Sequence, residues 1–238
     1  MKRSTHLIEP DSGGKRNDGL RQMGRKAGSR NLDYDRTRGE LVERLTGHIF
    51  ASGRTSLSFR ELASDAGVSP STLRHYFRDR EAVLLGVMER VQDLGLRYVA
   101  EGATAERGAA PESLRWFLGY LVDGWSRGVG KAHALGLTEG IGHAMLGPAY
   151  LRTLLEPTLH SAEARIAVHM ARGEIGPCDV RVAAIELVAP VIVVLLHQRA
   201  LGGGTVRHLE VQPFLDEHLA HFLRAFGPGL RPTREGRG

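Results

Sequence analysis

Apolar residues in this chain recur at helical spacing. Leu41, Leu45 and Ile49, with Val42 and Phe50 beside them, predict a first helix over Thr37–Ser52, closed by Gly53. Phe59, Leu62, Ala63 and Ala66 fall at i, i+3, i+4 and i+7 and predict a second, capped by Ser58. Gly67 follows where a left-handed residue ends a helix at little cost, and Val68 plugs the space beyond it. Ser69 is an N-cap and Pro70 a first helical residue, so a third helix starts there, with Leu73 and Phe77 on its inner side. Asp79 caps a long fourth helix from Arg80 to about Ala100, striped by Val83, Leu84, Val87, Met88 and Val91. From Pro111 onward each periodic segment is again helical, and no strand alternation is present. These segments are Glu112–Arg127, a short helix around Ala132–Leu137, Pro148–Leu155, Pro157–Ala171 closed by Gly173, Asp179–Leu201, and Val211–Phe226. The expected fold class is all-α.

Two short helices joined by a tight turn form a helix-turn-helix, whose second helix enters the DNA major groove. A plain helical hairpin would need only the inner apolar residues. Here Ser71, Thr72, Arg74, His75 and Tyr76 make the outer face of the third helix polar and rich in donors. Arg60, Ser71, Arg74 and His75 are the base-facing candidates, because Arg can pair two guanine acceptors while Ser and His select less sharply. Ser69 opens that helix and completes the group.

The segment Leu41–Val91 resembles the DNA-binding domain of the TetR (tetracycline-repressor-like) transcriptional regulators. The resemblance rests on Ile49-Phe50 and Gly53, Leu62-Ala63, Ala66-Gly67-Val68-Ser69, Thr72-Leu73, Tyr76-Phe77, Arg80-Glu81 and Leu84. Arg74 stands where the family commonly has Tyr, and Arg80 where it commonly has Lys. The resemblance implies phosphate contacts from Ser58, Thr72, Tyr76 and Arg80. It also implies a second helical domain with a small-molecule pocket, for which Trp116, Tyr120, Trp125, His133, Glu139, His143, Met145, Tyr150 and Met170 are candidates. The implied organisation is an arm over 1–35, a helix-turn-helix domain over 36–80, a regulatory and dimerisation domain over 81–227, and a tail over 228–238.

Charge sharpens this picture. The chain of 238 residues carries a net charge of +5, which favours an anionic partner. Residues 1–30 hold eight Lys/Arg against three acids and so account for the whole surplus, while residues 31–80 hold eight against seven. Residues 1–35 are polar and aperiodic, and read as a disordered basic arm. The single Cys178 excludes an internal disulfide and suits a reducing cytoplasm. It reads as a packing or exposed residue. No apolar leader opens the chain, and the apolar run Val182–Leu196, interrupted by Glu186, is expected to be too short to span a bilayer.

Other clusters read as structure rather than chemistry. His218 with His221, and Glu156, His160 and Glu163, have ligand-like spacing but are expected on solvated helix faces, with no metal and no cofactor. No Walker loop, His-Glu-x-x-His, Gly-x-Ser-x-Gly or Cys-x-x-Cys motif occurs. The run Val191–Leu196 is apolar all round, so the helices Asp179–Leu201 and Val211–Phe226 are expected to dimerise as a four-helix bundle, with Val194 at the contact. The reading is a non-enzymatic, cytoplasmic, ligand-responsive regulator, in all expectation a repressor, acting as a homodimer on a palindromic DNA operator. Two alternatives stay open: a helical enzyme or ligand carrier that retains the small domain, and an architectural DNA binder working through its arm.

Overall fold

A computed structural model describes residues 27–52, 54, 56–103 and 108–229, and among these every regular element is a helix. The expected basic arm up to residue 26, Gly53, and the tail from residue 230 lie outside the described residues. The order is α1 (Ala27–Ser52), α2 (Phe59–Asp65), α3 (Pro70–Tyr76), α4 (Arg80–Ala103), α5 (Ala110–Gly124), α6 (Gly130–Gly140), α7 (Leu146–Tyr150), α8 (Glu156–Ala171), α9 (Val180–Leu195), the single turn α10 (Gly203–Val206) and α11 (Val211–Phe226). A kink at Gly128, with φ of +119°, joins α5 to α6 across Trp125–Val129, while π-helical turns join α7 to α8 at Leu151–Leu155 and extend α9 through Leu196–Ala200.

The local signals act as chemistry requires. Ser69 accepts from the Thr72 amide at the start of α3, with Pro70 at its first position. Gly67 has φ of +69° and turns the chain after α2. The helix α1 corrects the expected boundary: it starts at Ala27, not Thr37. Its early turns are supported by the ion pairs of Arg36 with Asp33 and Glu40 and by Tyr34, which packs on α3.

Packing forms two apolar clusters. The first joins α1 to α4 through Leu41, Leu45, Leu62, Leu73, Phe77 and Leu84, and runs on into Ala132 and Leu135 of α6 and Leu146 and Tyr150 of α7. The helix-turn-helix therefore shares its core with α6 and α7. The second cluster gathers α5, α8, α9 and α11 around Leu118, Ile166, Leu187 and Leu219.

The expected length of this apolar segment needs correction. With its π turn the helix runs without a break through Pro190 from Val180 to Ala200, 21 residues, which is long and apolar enough to cross a bilayer by length and composition. Here its inner face packs against α8 and α11, through Ala183, Ala184, Leu187, Val191 and Leu195. Its other face is open in the single chain. Val193 is 61% exposed, and Val182 and Ile185 are also exposed.

Candidate DNA interface and effector cavity

The helix-turn-helix presents one polar surface. Arg60, Ser69, Ser71, Thr72, Arg74 and His75 are exposed on α2, the turn and α3, while Leu62, Ala63, Ala66 and Leu73 are buried beneath them. The cap hydroxyl of Ser69 lies 2.8 Å from both Ser71 Oγ and Thr72 Oγ1, so the three hydroxyls form one cluster at the start of α3. The guanidinium of Arg74 sits 5.2 Å from the Phe59 ring centre, which restrains a long side chain beside its neighbour helix. Ser58 closes a capping box with Glu61, whose carboxyl is pushed down to about 2 by hydrogen bonds from the Ser58 backbone, the Ser58 hydroxyl and Arg54. The Ser58 hydroxyl is therefore already engaged within the chain.

Helix α3 is buttressed by residues that the sequence did not single out. Tyr34 of α1 donates its hydroxyl to the carbonyls of His75 and Tyr76, each at 3.3 Å, and its ring lies 5.6 Å from His75 and 5.0 Å from Tyr76. Arg44 donates to the Ala66 carbonyl at 2.8 Å and satisfies the end of α2. Tyr34, Arg38, Leu41 and Leu45 share helical spacing, and that continuation of the α1 stripe was the available signal. Tyr76 is half-buried in this contact.

Arg80, a phosphate candidate, is engaged within the chain. Its guanidinium does not stand free for a phosphate. It donates through Nη1 and Nη2 to Glu139 of α6, at 2.8 and 2.7 Å, and through Nε to the Leu57 carbonyl. Glu139, expected in a pocket, is thereby committed to the same pair. The carboxylate raises the Arg80 pKa further.

A cavity of about 830 Å³ lies among α6, α7, the start of α8 and α9. Its walls are apolar, including Leu137, Leu155, Leu159, Ile185, Ile192 and Val193. Two of its walls come from π turns, through Leu151 and Leu155 on one and Leu196 on the other. Gly136 also lines it, and a side chain at Gly136 would collide with the Tyr150 ring, so the glycine lets that ring lie flat on α6. His143 accepts with Nδ1 from the amides of Met145 and Leu146, both at 3.2 Å, which places the proton of the neutral ring on Nε2.

Among the pocket candidates, His143 and Tyr150 line this cavity, while Trp116, Tyr120, Trp125, His133, Glu139, Met145 and Met170 do not. Trp116 stacks on Tyr120 at 5.1 Å and, with Met170, packs against the second cluster. Met145 is exposed. Trp125 stacks on His133 at 5.2 Å behind the cavity wall, and the buried His133 Nδ1 lies 2.7 Å from the Tyr150 hydroxyl. Burial pushes His133 down to about 4 and Tyr150 up to about 12.

Of the groups read as solvated faces, His160 and His221 are exposed as expected, while Glu156, Glu163 and His218 are engaged. Glu156 and Glu163 clasp Arg181, with contacts of 2.8 to 2.9 Å, and Arg181 and Glu156 line one end of the cavity. His218 reaches the Leu187 carbonyl at 2.9 Å and ties α11 to α9. No group of three or more metal-ligating side chains occurs among the described residues. Cys178 is half-buried against the second cluster, and desolvation raises its thiol pKa.

No family model and no curated protein matches this chain. Solved structures do. A candidate TetR-family transcriptional regulator from Mesorhizobium loti is 21% identical, with a TM-score of 0.61 over 82% of this chain and 98% of that one. A regulatory protein of the TetR family from Rhodococcus is 16% identical, with a TM-score of 0.59 over 81% and 98%. The transcriptional regulator FadR from Bacillus subtilis, solved in complex with stearoyl-CoA, is 16% identical, with a TM-score of 0.59 over 77% and 96%. With its helix-turn-helix fused to a larger helical body, the chain has the all-α fold of the TetR-type transcriptional regulators.

Proposed function

We propose that this protein is a TetR-type transcriptional regulator: a homodimer that binds a palindromic DNA operator and releases or rearranges on it when a small molecule occupies the cavity. The observation that carries this reading is the polar surface of α2 and α3. Its Arg, Ser, Thr and His side chains are exposed over a buried apolar floor, and each helix is capped at its own N-terminus, α2 by Ser58 and α3 by Ser69. Exposed side chains with this donor content are what a major-groove reader needs.

The cavity supports the ligand-responsive part. Its volume lies within the roughly 300–1,000 Å³ usual for small-molecule sites. It shares α6 with the Arg80–Glu139 pair, so a change at its wall is passed to the first residue of α4 and the adjacent α3. The stearoyl-CoA complex of the Bacillus subtilis FadR, a relative in fold, favours an effector with a long apolar chain, without fixing the charge of its head-group. Homodimerisation is supported by the uncovered apolar stripe of α9, and repression follows if the bound dimer blocks transcription.

Selection of bound sequences from a random DNA pool tests the reading. A palindrome with half-sites roughly 34–36 Å apart, or a multiple of that, is the expected result. Recovery of unrelated sequences at equal strength would favour the architectural binder instead.

A further inference from the structure

The effector cavity is apolar along its length, but its polar end carries a definite charge. Arg181 donates to Glu156 through both terminal nitrogens, at 2.8 and 2.9 Å, and to Glu163 through one of them at 2.9 Å. Two carboxylates on one guanidinium leave a single negative charge uncompensated. The hydrogen bonds from Arg181 hold Glu156 below the usual carboxylate range, and the paired carboxylates hold the guanidinium in its protonated state. Of this triad, Glu156 and Arg181 line the cavity, while Glu163 stands behind them with its side chain only 19% exposed. The Tyr150 hydroxyl is already bonded to His133. The cavity therefore offers an acidic head-group to its ligand in place of a free cation.

The cavity is also long. Its α9 wall runs from Arg181 to Leu196, a rise of roughly 22 Å at about 1.5 Å per residue. The π turns that supply Leu151, Leu155 and Leu196 open the helical ladder along this wall, a distortion that recurs at ligand sites.

We infer that the ligand of this cavity is an elongated, uncharged amphiphile, and that the Glu156–Arg181–Glu163 triad selects against fatty carboxylates and other anionic chains. An anionic head-group brought to this end meets net negative charge and finds Arg181 already bound on two sides. A neutral alcohol, ketone or ester of the same length meets neither obstacle. This inference rests on the cavity being the effector site.

The experiment uses the full chain and a neutral fluorescent probe, N-phenyl-naphthylamine, displaced by dodecanol or by dodecanoate. Dodecanol is expected to displace the probe at concentrations at least about tenfold lower than dodecanoate at low salt. Glu163→Gln, which lies outside the cavity wall, neutralises the triad and should raise dodecanoate affinity severalfold with dodecanol unchanged. Should that variant fold poorly, a salt titration of the natural protein replaces it, because screening narrows a charge-based gap. Equal or better displacement by dodecanoate, or a gap that neither Glu163→Gln nor salt narrows, overturns the selection against carboxylates while leaving the site in place. Failure of the probe to bind at all overturns the effector site itself.

Discussion

Arg80 and Glu139 stand 59 residues apart in sequence and share a two-pronged ion pair between the start of α4 and α6. Their side chains are 23% and 12% exposed, so the pair is largely withdrawn from water. Glu139 lies between Leu137 and Gly140, both of which line the cavity. The pair thus joins the wall of the cavity to the residue that follows α3 by one short turn. Arginine rather than lysine suits this task, because its planar fork meets both carboxylate oxygens at once.

Glu139→Ala should therefore destabilise the protein by roughly 1–3 kcal/mol, since it leaves a half-buried guanidinium without its carboxylate. Denaturant unfolding of the two single variants and the Arg80→Ala/Glu139→Ala double variant measures the coupling. Additive effects would show that the pair carries no energy. If ligand response runs through this contact, Glu139→Gln also reduces the factor by which effector weakens operator binding.

The His133–Tyr150 pair gives the protein a pH dependence whose sign follows from burial. His133 has a folded pKa of about 4, below its ordinary 6.5, because desolvation opposes its charge. The unfolded chain then binds a proton more readily. Stability from this group is full above pH 6.5 and is lost as the pH falls toward 4, by at most ~3 kcal/mol. Tyr150, raised to about 12, acts at the other end: stability is lost as the pH rises from 10 toward 12. Thermal unfolding followed from pH 7 to 4 checks the first window. His133→Gln, which keeps a polar partner for Tyr150, should flatten it.

How far the sequence revealed these features depended on range. Gly67, Ser69, Pro70 and the Leu62–Ala63 pair act within a turn or two, so their chemistry was visible in order along the chain. Arg80 with Glu139, and Arg181 with Glu156 and Glu163, are brought together by the fold, and no spacing announces them. Glu156, His160 and Glu163 had the periodicity of an exposed face, yet α9 brings Arg181 against it. Trp125 and His133 were sensible pocket candidates by type. They fell instead to the layer behind the wall, because periodicity assigns a face but not what covers it. Tyr34 was passed over because the polar run around it hid one more turn of the α1 stripe.

The α9 stripe supplies the test of assembly. Val182, Ile185, Ala189 and Val193 are exposed at i, i+3, i+7 and i+11, and the last three also line the open side of the cavity, so the stripe and the cavity share this face of α9. Val194, the expected contact, is half-buried, so an arginine there would disturb folding as well as assembly. Val182 lies on the stripe but outside the cavity. Val182→Arg should weaken dimerisation by about 2 kcal/mol, roughly thirtyfold, with the fold intact by circular dichroism. Sedimentation of an unchanged dimer would remove this stripe from the interface.

The last prediction concerns how the recognition helix is held. Tyr34 reaches from α1 to the C-terminal end of α3, donating to the carbonyls of His75 and Tyr76 while its ring meets both side chains. Those carbonyls belong to the last turn of α3, where no further helical amides follow to satisfy them. Tyr34→Phe keeps the ring packing and removes the donor. It should cost about 0.5–1.5 kcal/mol of stability and lower operator affinity, with little change in binding to unrelated DNA. Arg74→Ala gives the contrast. As a base contact it should cost roughly 1–3 kcal/mol in specific affinity and relax preference at one position in each half-site. Tyr34 is engaged with the backbone and side chains at the end of α3, so its loss should weaken all positions of the half-site together. Binding-site selection on the two variants separates these patterns. A Tyr34→Phe protein that loses preference at a single position would mean that Tyr34 meets DNA itself, and that the bonds to α3 are incidental.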